Sequence, residues 1–291
     1  MCAYSFFDML GDYNRRESFY HAALINSKTV RPGTLAGEKA LRAKLQEHGS
    51  FEEIYLSESG GLLVDDEISR DKSLVSLLKR IDKISFDFRV LTVNDVDFPQ
   101  HLKDVEGSTP VLYTCGDVGL MDEQSISVVG TRKLEDRVDI EEGAAVVKRL
   151  VAKGYVVVSG LAAGCDTLGH TKAIEHGGKT IAVLGTPLDR FYPKENKMLQ
   201  ERIAAEHLVV SQYPIGVRTF PSYFAHRNLT TVSLSTEGVV VVRSGDKSGT
   251  QHAIRHCVAQ EKPLYVMANN FGKGYAWVKE RRQYLKVPNG R

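Results

Sequence analysis

Val128 and Val129 run into a lone glycine, Gly130, followed by a hydroxyl and two cations, Thr131, Arg132 and Lys133. At the end of a buried strand such a corner suits a phosphate. Glycine lets an anion approach the backbone, Thr131 is an extra hydroxyl donor, and an arginine clamps two phosphate oxygens at once. A helix starting just after adds free N–H groups and a positive dipole end. The competing reading is a strand that stops at a charged surface, with Arg132 paired to Glu135 or Asp136. One glycine does not decide between them, because glycine is also ordinary turn chemistry. Three more segments have the same make-up: "VVSGLAAGCD" (157–166), with Gly160 and Gly164; "AVLGTPLDRFYP" (182–193); and "VVRSGDKSGT" (241–250), with Arg243, Lys247, Ser248, Gly249 and Thr250.

Two stretches interleave aromatics with cations. "FYPKENKML" supplies Phe191, Tyr192 and Lys194, and "FPSYFAHRNLT" supplies Phe220, Tyr223, Phe224, His226, Arg227 and Asn228. Rings stack on bases while cations hold phosphates, which is how single strands are gripped without sequence readout. The expectation is that Arg132, Lys194, Arg227, Arg243 and Lys247 converge on one edge as a local basic groove. Asp166 and His170 lie four apart, but Asp166 stands where a helix N-cap belongs and His170 reads as structural. The G-x-G-x-x-G and G-x-x-x-x-G-K-[ST] fingerprints are both absent, so NAD chemistry and ATP hydrolysis lose support.

The elements that must position these residues alternate. Strands at 125–130, 155–160, 180–185, 207–213, 238–244 and 263–268 are separated by helices at 137–154, 165–177, 194–207, 223–236 and 249–261. The strands are near-continuous Val and Ile runs, as in a parallel sheet buried on both faces. Residues from about 105 to 270 therefore read as an α/β, doubly wound, Rossmann-like and mostly parallel sheet, in which ligands bind at the carboxyl ends of the strands. The segment "KGYAWVKERRQYLKV" (273–287) reads as a basic helix packed on it. Up to about residue 85 the pattern is helical, with "HGS" (48–50) as a helix stop and N-cap, and "SLVSLLKRIDKI" (73–84) as a helix carrying Leu74, Leu77, Leu78 and Ile81 on one face. No chemistry stands out there. The boundary falls near 85–90, giving a helical module over 1–87 and a Rossmann-like domain over 88–291.

Composition narrows the class. The 291 residues are 42% hydrophobic and 25% charged with a net charge of only +2, so a nucleic-acid site must come from locally clustered Lys and Arg. No apolar run is long enough to cross a bilayer and the N-terminus has no secretory pattern, so a cytoplasmic protein without membrane association is expected. Cys2, Cys115, Cys165 and Cys257 form no C-x-x-C pair, so free thiols, no metal and no cofactor are expected.

In order, "TPVLYTCGD", "VVGTRK", "VVSGLAAGCDTLGHTKAI", "GGKTIAVLGTPLDRFYPKEN", "SQYPIG", "HRNLTTVSLS", "VVVVRSGDKSGT" and "PLYVMAN" resemble the DNA-processing protein A family (DprA, also called Smf) over about residues 95–270. "LRAKLQEHGSFEEIY" resembles the SAM- or helix-hairpin-like module that precedes the family's core. The resemblance implies an extended Rossmann fold that binds single-stranded DNA, dimerises, protects DNA in natural transformation and helps load a RecA-type recombinase, with no catalytic reaction. It places the family's phosphate-binding Arg on Arg132, its S-G-x-A-x-G-x-D turn on Ser159 to Asp166, its Y-P-x-x-N segment on Tyr192, Pro193 and Asn196, and its R-N pair on Arg227 and Asn228. The chain departs from the family at Arg243, where a Glu is usual, and at Cys165, where Ile is usual. The added cation at 243 is expected to strengthen DNA binding or to mark a specialised paralogue. A nucleotide-sensing or defence module would need the same phosphate site. A phosphoribohydrolase would need a P-G-G-x-G-T-x-x-E loop, whose Glu position is Ala253 here.

Overall fold

Asp12, Thr34, Ser50 and Asp71 each accept a backbone N–H with the side chain and so open the first helices: α1 (Tyr13–Asn26), α2 (Leu35–His48), α3 (Phe51–Glu58) and α4 (Lys72–Asp82). The computed structural model describes residues 10–59, 68 and 70–286. The stop expected at 48–50 falls between α2 and α3, with Ser50 capping Glu53 N–H at 3.1 Å. Leu74, Leu77, Leu78 and Ile81 of α4 all face inward.

The helices do not form a core of their own. Phe19, Leu41, Leu45, Phe51 and Ile54 lie in one apolar cluster with Leu112, Val158, Ile181 and Val209 of the sheet. A polar stitch crosses the same boundary: His21 Nδ1 lies 2.9 Å from the Tyr113 hydroxyl, and its ring stacks on Phe51 at 4.1 Å. Burial drives the His21 pKa down to about 3, so it is neutral at physiological pH.

The sheet has nine strands: β1 (Arg89–Thr92), β2 (Val111–Gly116), β3 (Ser125–Val129), β4 (Val156–Ser159), β5 (Thr180–Leu184), β6 (Leu208–Ser211), β7 (Val239–Val241), β8 (Leu264–Val266) and β9 (Leu285–Lys286). Their order is β1-β2-β6-β5-β4-β3-β7-β8-β9, with antiparallel pairing at β1/β2 and β2/β6 and parallel pairing everywhere else. The crossing helices are α5 (Gln100–Lys103), α6 (Arg137–Ala152), α7 (Cys165–Glu175), α8 (Lys197–Glu206), α9 (Pro221–Leu234), α10 (Thr250–Ala259) and α11 (Ala276–Glu280). Strands β3 to β7 are buried along their whole length, as their unbroken apolar runs require. The expected C-terminal basic helix is corrected: the segment forms the five-residue α11, a short 3₁₀ turn and then β9, which pairs parallel to β8. Trp277 anchors the start of α11, buried with its indole N–H donating to Ser244 O at 2.9 Å and its backbone N–H to Asp246 Oδ1 at 3.0 Å.

From β3 the chain builds outward through β4, β5 and β6, then returns across α9 to lay β7 on the other side of β3. The strand order therefore reverses between β3 and β7, the crevice where open α/β sheets bind ligands. The segments "GTRK" and "RSGDKSGT" leave the sheet at that point.

A candidate phosphate-binding site at the switch point

The loop after β3 is sewn to its neighbours by backbone. Thr131 N–H donates to Arg243 O at 2.7 Å, and Thr131 O accepts from Cys165 N–H at 3.1 Å. A Cβ on Gly130 would lie 2.3 Å from Cys165 Sγ and 2.8 Å from Arg243 O. Packing of strand against helix therefore already demands glycine at 130, independently of any anion. Gly164, at φ +79°, is the N-cap of α7, and a Cβ there would lie 2.3 Å from Thr131 O. Asp166 is thus not the cap expected from sequence. It sits in the first turn with Oδ2 3.3 Å from Ala162 N–H.

Arg132 is exposed, with its guanidinium carbon 5.8 Å from the Phe224 ring centre. Among the described residues it makes no ion pair with Glu135 or Asp136; Asp136 instead caps α6 through Val138 N–H at 2.9 Å. Arg227 is the opposite case. Only 3% exposed, it donates from Nη1 to Val183 O at 2.6 Å, and a Cβ on Gly160 would lie 1.7 Å from that nitrogen. Burial lowers its pKa and the nearby Asp166 charge raises it, while burial pushes the Asp166 carboxyl up against the pull of Arg227. Arg227 and Asp166 are both buried and feel each other's charge without an ion-pair contact, and the exposed guanidinium of the site is that of Arg132.

The other expected residues divide into wall, support and elsewhere. Lys247, Ser248, Gly249 and Thr250 line the pocket with Asn228, whose Nδ2 approaches Gly249 O at 3.4 Å. Ser248 Oγ meets Thr250 Oγ1 at 2.9 Å and accepts Thr250 N–H at 3.2 Å, shaping the loop into α10. Two residues act from behind the wall. Ser159 Oγ donates to Val128 O at 2.6 Å, joining β4 to β3, and Asn196 Nδ2 holds Leu161 O at 2.9 Å and Thr167 Oγ1 at 2.8 Å. Tyr192 is half-exposed with its ring centre 4.9 Å from that of Phe224, and Lys194 is exposed beyond the pocket rim.

Arg243 does not join the groove, which corrects the expected convergence. Its Nε lies 3.2 Å from Asp139 Oδ2, its Nη1 donates to Asn269 O at 2.5 Å, and its guanidinium carbon lies 5.7 Å from the Tyr275 ring centre. Only its backbone carbonyl serves the pocket, through Thr131. The Asp139 carboxylate on α6 cancels the extra cation, so Arg243 adds packing between α6 and α11 rather than charge at the crevice.

The resulting cavity of about 560 Å³ is lined by Arg132, Lys133, Arg227 and Lys247 against a single carboxylate, Asp166. Phe224, Ala253 and His252 complete its wall. Asp166 read as a cap in the sequence; Phe224 precedes Arg227 by one helical turn, the one sequence signal that the two share a face.

Fold and site together define a doubly wound α/β protein with a cationic pocket, walled by Phe224, at its switch point. The sequence profile of the DNA recombination-mediator protein A family matches residues 89–277, beginning at β1, and the chain belongs to that family. It is 32% identical over 190 residues to the DNA processing protein DprA of Streptococcus pneumoniae, covering 64% of this chain and 65% of that protein. It is 35% identical over 184 residues to the protein Smf of a Synechocystis strain, covering 62% of this chain and 46% of that one. The matches thus span about half to two-thirds of these relatives' length. The X-ray structure of the Streptococcus pneumoniae DprA superposes with a TM-score of 0.68 at 25% identity, covering 99% of this chain and 95% of that one. A Helicobacter pylori DNA processing protein A, whose structure is described for its single-stranded DNA binding mode, gives 0.60 at 26% identity over 68% of this chain and 90% of that one. Among the described residues no helix is long and apolar enough to cross a membrane.

Proposed function

We propose that this protein binds single-stranded DNA at the switch-point pocket, without catalytic turnover. One observation carries the reading: an exposed cation and an aromatic pair meet at the pocket edge, Arg132 over the Phe224 ring at 5.8 Å and half-exposed Tyr192 tilted against Phe224 at 4.9 Å. Arg132, Lys133 and Lys247 take phosphates, and the two rings accept bases without reading their edges. The binding mode named for the Helicobacter pylori relative supports the same choice. In this reading the protein acts as a homodimer that protects bound DNA and passes it to a RecA-type recombinase, the role implied by the family resemblance.

The test is binding of labelled oligo-dT, duplex DNA and free nucleotides side by side at two salt concentrations. Oligo-dT is expected to bind best, with affinity falling as salt rises by a log–log slope of about 0.7 per phosphate engaged. Arg132→Ala is expected to lower that slope by about 0.7 and leave the fold intact. Salt-independent affinity, or an unchanged slope in the variant, overturns the groove.

The pocket's size favours one second reading. About 560 Å³ lies within the range of small-molecule sites, so preference for a free nucleotide would identify a nucleotide sensor instead. A phosphoribohydrolase has less support, because Ala253 stands on the wall where that chemistry needs a carboxylate; release of free base from a nucleoside monophosphate would restore it.

A further inference from the structure

Helix α4 showed no chemistry in sequence, yet its outer face is a row of cations. Lys72, Ser76, Lys79 and Lys83 recur at helical spacing opposite the buried Leu74, Leu77, Leu78 and Ile81. The three lysines are exposed and, among the described residues, make no ion pair. The concave patch they form is lined by Lys72, Val75, Ser76, Lys79, Arg80 and Lys83, with no described carboxylate in it.

Tertiary contacts bring this face to the sheet's carboxyl edge. Arg80 donates twice to Asp189 Oδ2, from Nε at 2.9 Å and Nη2 at 2.6 Å, so the loop after β5 rests on α4. Three residues further on, Tyr192 meets Phe224 on the pocket wall, and three residues of chain reach at most about 10 Å. The loop after β6 packs on the buried side of α4 and reaches its edge, since a Cβ on Gly216 would lie 2.3 Å from Leu77 Cδ1 and 4.0 Å from Arg80 Cδ. Two residues on, exposed Arg218 stacks its guanidinium 5.5 Å from the Phe220 ring centre, just before α9. Cations and rings thus continue from the pocket, through these two loops, to α4. Asp189, the carboxylate in that interval that touches α4, is consumed by Arg80.

We propose that α4 is a second phosphate-binding face, which holds the backbone of the same single strand where it leaves the switch-point pocket. The lysines are compact, mobile point charges with no fork geometry, so they hold backbone regardless of sequence. The proposal rests on the single-stranded DNA reading above and adds a length dependence to it: a strand that only fills the pocket does not reach α4, and a longer one does.

The experiment compares Lys72→Glu/Lys79→Glu/Lys83→Glu with the parent protein on oligo-dT of about 6 and about 16 nucleotides, across a salt series. Thermal unfolding checks that the substituted surface leaves the fold intact. The expected result is roughly a tenfold loss on the long oligonucleotide at low salt, with its salt slope reduced by about 2, three phosphates at about 0.7 each. The short oligonucleotide binds as before, and Lys72→Arg/Lys79→Arg/Lys83→Arg behaves as the parent on both. Unchanged binding of the long strand overturns the proposal, and so does an equal loss on both lengths, which marks a diffuse charge effect. If the parent itself binds neither length, the single-stranded DNA reading fails and this proposal falls with it.

Discussion

Arg132 and Arg227 are both arginines on the pocket wall, yet their surroundings give them opposite tasks. Arg132 is exposed over Phe224, so its loss removes a ligand contact and little else. Arg227 is 3% exposed, holds Val183 O at 2.6 Å and lies against Gly160, with the buried Asp166 nearby. Arg227→Ala leaves a void against Gly160 and the Val183 carbonyl without its donor, and is expected to destabilise the protein by about 2–4 kcal/mol. Arg132→Ala is expected to cost no more than about 0.5 kcal/mol. Urea unfolding of both variants measures the contrast. Adding Asp166→Asn to Arg227→Ala should recover the part of the loss that comes from their charges; if the double variant is as unstable as two independent losses, those charges do not contribute.

At the scale of elements, the pocket depends on how closely the N-terminus of α7 approaches the loop after β3. Gly164 permits that approach through its φ of +79° and the 2.3 Å between a notional Cβ and Thr131 O. Gly154 has a φ of +83° and nothing within 4 Å of a notional Cβ, which makes it a control for positive φ without a neighbour. Gly154→Ala carries a positive-φ penalty of about 1–2 kcal/mol, and Gly164→Ala carries more, because its ψ of −121° lies outside the left-handed helical well. Only Gly164→Ala pushes on the Thr131–Arg132 backbone, so only it is expected to weaken oligo-dT binding severalfold. Fluorescence anisotropy titrations of the two variants decide this, and equal affinities would show that the loop moves without consequence.

Over the whole molecule, the helical module is fastened to the sheet partly by groups that pH can reach. Glu38 on α2 is 2% exposed, accepts Gly33 N–H at 2.8 Å and lies 3.8 Å from His226 on α9. Burial pushes its pKa up to about 7 from 4.5, and Glu17 rises likewise to about 7. A carboxyl raised on folding stabilises the protein below its unfolded pKa, and that stability is lost as pH climbs through the folded value. These two groups therefore favour the folded state near pH 4.5 and stop doing so above about pH 7. His21 and His170, each lowered to about 3 from 6.5, act the other way and cost stability as pH falls below about 6.5. Glu38→Gln removes only its own contribution. The difference in unfolding free energy between variant and parent should then change between pH 5 and pH 8, in the variant's favour at the higher pH. Parallel stability curves across that range would exclude the assignment.

Local rules were enough for much of this. Ser50 announced a cap, Leu74 to Ile81 announced a buried helix face, and the Val runs before Gly130, Gly160 and Gly185 announced strands buried on both sides. These signals are legible because each depends on a few neighbouring residues and a fixed period. The ordered motifs then identified the family and put Arg132, Lys247 and Thr250 at strand ends. Other outcomes had no local signature. Arg243 looked like another groove cation until Asp139, more than a hundred residues earlier, claimed it. Arg227 read as one of the converging groove cations, and Gly160 and Val183 close over it. The final basic segment looked helical until β8 offered it an edge to pair with. The α4 lysines gained meaning only when Arg80 met Asp189 across the fold. In each case the deciding partner is distant in the chain. A side chain's direction and burial at a strand exit are set by what packs against it, and that is decided by tertiary structure.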